Sequence, residues 1–218
     1  MSKVEFLSEG SPRTGYLAIP QTSNGGAILV LHAWWGLTPL FTSLCDQLAA
    51  EGYVAFAPDL HLGKTADTIP DAQALVENGD FPTIKATALA ALDFFQHHPA
   101  AEGKPLGVLG FSFGAAYSLL LNHLQPSAFS AITLFYGGSD MGLPEVETPL
   151  LCHFAEIDDY EPLEVVQNLT LRNGARHIYP GTHHWFFESN RPEYNKEATT
   201  LAWQRTLAFF KEKLIQPR

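Results

Sequence analysis

Three segments of this sequence carry the residue types of covalent acyl transfer. The first is Gly110-Phe-Ser-Phe-Gly114, which sets Ser112 between two glycines. An apolar run, Leu106 to Leu109, precedes it, and a helical pattern, Ala115 to Leu124, follows. A serine on a sharp strand-to-helix turn is exposed for attack, and the small neighbours let the backbone pass closely. Such a short pattern also arises by chance, and its plain alternative is a glycine-rich turn with a capping serine. Nucleophilic use of Ser112 requires an acid and a base later in the chain, in that order.

Both follow. Leu150 to Phe154 reads as a strand, and Ala155-Glu-Ile-Asp-Asp-Tyr-Glu-Pro162 is the loop after it. Asp158 is placed as the acid, about four residues past the expected strand end, with Glu156, Asp159 and Glu161 as solvated neighbours. The base belongs on the loop after the last expected strand, His177 to Tyr179, where His183 and His184 follow Gly181. Adjacent histidines rarely converge on one ion, and no H-E-x-x-H or Cys/His spacing accompanies them, so no metal and no cofactor are expected. His97-His98 reads as a helix C-terminus, and His61, His123, His153 and His177 as structural. A fourth segment, His32-Ala-Trp-Trp-Gly36, follows the first buried strand. Its Trp34 amide, with the Phe113 amide after the serine, is expected to hold a developing oxyanion.

Strand and helix signals alternate along nearly the whole chain. Val4 to Leu7 and Gly15 to Ile19 are expected to form a short antiparallel hairpin across Gly10-Ser-Pro12. Ala27 to Leu31 and Tyr53 to Ala57 are expected as buried strands, with a helix capped by Thr38 between them. Helices are expected over Asp71 to Asn78, Thr83 to Gln96, Glu161 to Leu171 and Pro192 to Leu214, and a strand over Ala131 to Phe135. The pattern is that of an α/β protein, a mainly parallel twisted sheet with helices on both faces. At 218 residues, with 46% apolar and 17% charged residues, a single domain over 1–218 is expected. A net charge of −10 argues against nucleic acid and anionic membrane surfaces. No apolar run reaches the ~18 residues of a membrane span, and with no apolar stretch in its first residues no signal peptide is expected. Cys45 and Cys152 are expected as buried free thiols, which makes the cytoplasm the expected compartment.

These segments together resemble the dienelactone hydrolase family of α/β-hydrolases. The likeness runs from His32-Ala-Trp-Trp-Gly-Leu37 through Ala57-Pro-Asp-Leu60 and His153-Phe-Ala-Glu-Ile-Asp158 to Tyr179-Pro-Gly-Thr-His-His184 and the Arg191 to Phe210 tail. It implies the α/β-hydrolase fold, ranks Asp158 over Asp159 as acid, and ranks His184 over His183 as base. It departs from the family in three places. The name-giving enzymes use a cysteine where Ser112 stands, a glutamate where Ala33 stands, and a substrate-binding arginine where Glu188 stands.

The implied activity is hydrolysis of an ester or lactone of a small molecule through an acyl-enzyme. A non-catalytic binding or sensor module and a thioesterase or peptidase with the same residues are the alternatives. Trp35, Phe111, Trp185, Phe186 and Glu188 are expected around the pocket, where Glu188 would favour uncharged substrates unless Arg191 or Lys64 supplies a cation. Oligomeric state is not legible.

Overall fold

Ala27–Leu31 is apolar at every position, and such a strand must be covered on both faces. The structure, a computed structural model describing residues 2–141 and 143–215, covers it. In chain order the elements are β1 (Ser2–Ser8), β2 (Ser11–Ala18), β3 (Ala27–Leu31), α1 (Pro39–Ala50), β4 (Val54–Pro58), α2 (Ile69–Glu77) and α3 (Phe81–His97). There follow β5 (Leu106–Phe111), α4 (Phe113–Leu124), β6 (Ala131–Phe135), β7 (Leu150–Ile157), α5 (Leu163–Asn168), β8 (Gly174–His183) and α6 (Lys196–Leu214). The strands form one sheet in the order β1-β2-β4-β3-β5-β6-β7-β8, antiparallel at β1-β2 and β2-β4 and parallel thereafter. This is the α/β-hydrolase fold.

Alternation within each buried strand divides the core. Leu29 and Leu31 of β3, Val108 of β5 and Leu134 of β6 point to the face covered by α3 and α4. Ile28, Val30, Leu109 and Phe135 point to the other, against Phe41 and Leu44 of α1 and Ala202, Phe210 and Leu214 of α6. The chain runs from β3 outward to β4, then returns to place β5 on the other side of β3. In open parallel sheets the crevice at such a reversal, beyond the carboxyl ends of the strands, is where ligands bind. The loops after β3 and β5 carry Trp34 and Ser112 to that crevice.

The elements depart from the sequence reading at their ends. The hairpin turns on Glu9 and Gly10, at φ 49° and 74°, one residue earlier than expected, because two left-handed residues match the twist of paired strands. Thr38 stands at the N-cap of α1 with extended backbone, yet its side chain makes no cap bond. Pro192 does not open the last helix. A string of turns runs from His183 to Tyr194, and α6 begins at Lys196, where the Asn195 side chain accepts from the Ala198 amide at 3.0 Å. α5 is shorter than expected, because Glu161 is held by the loop after β6. β7 runs three residues further than expected, from Phe154 to Ile157. β8 is an edge strand and so tolerates Pro180, with the irregularity absorbed opposite Ala155 and Ile157. Cys45 in α1 and Cys152 in β7 are buried free thiols. Among the described residues no helix is long and apolar enough to cross a membrane.

Candidate active site

The two glycines around Ser112 answer to close approaches. A Cβ on Gly110 would lie 2.5 Å from the Gly114 carbonyl oxygen, and one on Gly114 would lie 2.6 Å from the His32 carbonyl oxygen. The helix that starts at Phe113 therefore presses on the ends of β5 and β3, and Ser112 takes the sharp bend between them at φ 50°, ψ −111°. A non-glycine residue in such a region costs about 1–3 kcal/mol and persists where surrounding structure enforces it. Here the Ser112 amide donates to the Phe135 carbonyl at 2.9 Å.

The same strand ends position the partners. Asp158 is the first residue after β7 and His184 the first after β8. His184 Nε2 accepts from Ser112 Oγ at 2.9 Å, and His184 Nδ1 donates to Asp158, 2.9 Å from Oδ1 and 2.8 Å from Oδ2. Side-chain exposure is 6% for His184 and 0% for Asp158. The Tyr160 and Glu161 amides donate to Asp158 Oδ1 at 2.9 and 3.0 Å, so the carboxylate is held in orientation. His183 and Asp159 are exposed and make no bond to this chain of three. A hydroxyl, a neutral imidazole and a buried carboxylate joined in this order can move a proton off the hydroxyl as it attacks.

Neither the Phe113 nor the Trp34 amide donates to a protein acceptor among the described residues. Phe113 is the first residue of α4, where amides are unpaired and the helix dipole favours negative charge. The loop bearing Trp34 is set by His32, whose Nδ1 donates to the Ala33 carbonyl at 2.7 Å while Nε2 accepts from the Leu60 amide at 3.0 Å. Burial pushes this imidazole down to about 4. His61, whose ring lies 5.3 Å from that of His32 and 5.0 Å from that of Phe113, is likewise pushed down to about 4 by burial. Burial also lowers His153 well below the usual range, as it bonds Tyr179 and Thr206.

These three imidazoles stay neutral in the folded protein, whereas the unfolded chain protonates them near pH 6.5. Their stabilisation is fully present above that pH and is lost as pH falls toward 4, about 3 kcal/mol for His32 alone. Proton NMR is expected to show the His32, His61 and His153 rings unshifted between pH 8 and 5.5 while urea midpoints fall. Titration of these three near 6.5 would contradict this assignment.

The expected pocket is the part most revised. Phe111 and Phe186 are fully buried, packed on Phe135 and Tyr136, because Phe111 ends β5 with its side chain in the core and the turn after β8 carries Phe186 into the same core. Trp35 is 1% exposed, capped by the Arg191 guanidinium 3.6 Å above its ring, and Arg191 also donates to the Asp67 carbonyl. Arg191 is thus engaged in holding two loops together. Glu188 is 1% exposed and accepts from the Tyr136 hydroxyl at 2.9 Å. The charge argument built on it called for a side chain open to a pocket, and this one is buried. Trp185, at φ 64°, does stand beside His184 and stacks on Trp34 at 5.7 Å.

A cavity of about 580 Å³ lies instead beside α2, lined by Leu60, His61, Lys64, Ala74, Leu75 and Ile84 among others. His61 separates it from Phe113, and Lys64 is the exposed cation on its wall. Three further residues were not legible as site residues. The Tyr136 ring lies 4.9 Å and the Tyr160 ring 4.8 Å from the His184 ring. Glu161, expected in solvent, is 8% exposed and accepts from the Gly138 and Ser139 amides at 3.0 and 2.9 Å. No local motif marks any of them. Among the described residues no three His, Cys, Asp or Glu side chains are grouped as metal ligands.

Comparison with known proteins agrees with this architecture. The family model described as "Dienelactone hydrolase family" matches residues 14–214. The "Protein usf" of Aquifex pyrophilus is 32% identical, over 97% of this chain and 98% of that protein. A protein of Aquifex aeolicus, named provisionally as a carboxymethylenebutenolidase, is 29% identical over the same shares. A structure from Klebsiella pneumoniae, named provisionally as a dienelactone hydrolase, superposes with a TM-score of 0.81 at 24% identity, covering 97% of this chain and 98% of that one. The chain belongs to the dienelactone hydrolase family.

Proposed function

We propose that this protein is a serine hydrolase that cleaves a carboxylic ester or lactone through an acyl-enzyme. The observation that carries the reading is the hydrogen-bonded chain Ser112–His184–Asp158 at the strand ends, with both bonds at 2.8–2.9 Å. Ser112 Oγ attacks the carbonyl carbon as His184 Nε2 takes its proton, and the tetrahedral intermediate's oxyanion is received by the Phe113 and Trp34 amides. Each such donor is worth about 3–4 kcal/mol in the transition state. Collapse expels the alcohol, protonated by His184, and water repeats the sequence to release the acid. Asp158 keeps Nδ1 protonated and stabilises the imidazolium. No step calls on a cofactor, and the chain is read as one domain working in the cytoplasm, a reading that its two unpaired buried thiols support.

The cavity beside α2, with His61 between it and Phe113, is of the size that holds a small ligand. Its floor of Leu60, Leu75 and Ile84 favours an uncharged, largely apolar acyl or alcohol group. This preference now rests on that lining rather than on Glu188. The test is a panel of activated esters and lactones of graded length. Ala74→Trp, which fills the cavity, is expected to lower kcat/KM for the longer substrates about tenfold or more and to spare acetyl esters. Equal effects on short and long substrates would show that the cavity does not hold substrate.

A further inference from the structure

Glu188 is a buried acid close to the proposed base that plays no part in the mechanism above. It sits in the turns that follow His184, whereas its partner Tyr136 directly follows β6, immediately beside the elbow. Tyr136 is fully buried and holds φ 36°, an unusual conformation for an aromatic residue, with its amide bonded to the His153 carbonyl at 2.7 Å. One edge of its environment is the His184 ring at 4.9 Å, and another is Phe186 at 5.6 Å. The next residue, Gly137, is so close to the elbow that a Cβ there would lie 2.7 Å from the Ser112 carbonyl oxygen. The Tyr136–Glu188 bond therefore joins the loop that carries the base to the platform that carries the nucleophile, across 52 residues of sequence.

We propose that Tyr136 and Glu188 form a buried tether that positions the His184 imidazole between Ser112 and Asp158. The inference rests on the triad reading above and makes Glu188 a positioning residue, acting through Tyr136.

The tether has a consequence for pH. Burial pushes the Glu188 carboxyl up to about 8, against the opposing pull of the Tyr136 hydrogen bond and of Arg191, while Glu193 adds to the rise. Asp158, just after β7, faces the same tyrosine. Arg191 is stacked on Trp35, and no cation makes a hydrogen bond to the Glu188 carboxyl among the described residues. At neutral pH the tether therefore holds as an uncharged carboxyl. Above about pH 8 the carboxylate must be hydrated, which draws the His184 loop away from β6. The buried thiols do not titrate there, since burial raises both far above that range.

The experiment is a set of pH–rate profiles on an activated ester for the wild type, Tyr136→Phe and Glu188→Gln. Tyr136→Phe keeps the ring and removes the bond. It is expected to lower kcat about tenfold with KM within about twofold, the scale of one lost positioning hydrogen bond. Glu188→Gln keeps the acceptor and cannot ionise. It is expected to lose the fall in kcat that the wild type shows between pH 7 and 9, which a merely structural carboxyl would not produce. Wild-type kcat in Tyr136→Phe, or the wild-type alkaline limb in Glu188→Gln, would overturn the tether. Activity surviving in Ser112→Ala would instead overturn the triad reading, so the two failures are distinguishable.

Discussion

Ser112→Ala is expected to reduce hydrolysis of an activated short-chain ester by about 10⁴-fold or more, with the fold intact. The size of the effect follows from what the residue supplies. Removing Oγ removes the covalent step, and the neighbouring histidine and amides then act only on a bound water. The change is isosteric apart from one oxygen and relieves no packed core, so circular dichroism and the urea midpoint should match the wild type. If the variant retained a tenth of the activity, Ser112 could not be the nucleophile.

The second large effect separates neighbours in sequence. His184→Ala is expected to cost about 10⁴-fold in kcat, while His183→Ala, an exposed residue outside the hydrogen-bonded chain, should cost less than about threefold. Asp158→Asn should cost hundreds-fold to about 10⁴-fold, because an amide cannot hold the Nδ1–H tautomer as a carboxylate does. Asp159→Asn should be near wild type, since Asp159 is exposed. Single-turnover rates at saturating substrate would measure the chemical step directly. A reversed order at either pair would shift both loops by one residue and dissolve the geometry.

The pairs were separable in sequence for different reasons. Asp158 is marked by its distance past a strand as well as by the family likeness, although that strand proves longer and the residue follows it directly. Asp158 is nonetheless the carboxylate that meets His184, since β7 ends where its backbone leaves the sheet. His184 was ranked over His183 by family likeness, because both lie on one loop and only the strand's alternation decides which points inward. The mainly parallel sheet and the two-sided core were implied by fully apolar strands separated by helices. Boundaries set by side-chain partners from distant segments were not. Pro192 is a good first-turn residue, yet Asn195 caps α6 because turns from His183 onward already use the intervening amides.

The pocket was the least legible part, and the reason is geometric. Aromatic residues next to catalytic ones in sequence were expected beside them in space. On a strand, however, adjacent side chains point to opposite faces, so Phe111 at the end of β5 falls into the core, and the turn after β8 carries Phe186, two residues past His184, into it as well. Tyr136, Tyr160 and His61 reach the site from other strand ends and loops, and only the assembled sheet brings them together. Glu188 stands where the resemblance implied a substrate-binding arginine. A glutamate there reads as a reversed charge, whereas the side chain is buried against Tyr136, and burial pushes its carboxyl up to about 8.

The central claim is that Ser112 is an activated nucleophile, and covalent capture tests it most directly. Treatment with a fluorophosphonate, followed by intact-mass and peptide mass spectrometry, should give one adduct per chain on Ser112. The adduct should be lost in Ser112→Ala and form far more slowly in His184→Ala. An unlabelled wild-type protein, or an adduct on any other residue, would contradict the account.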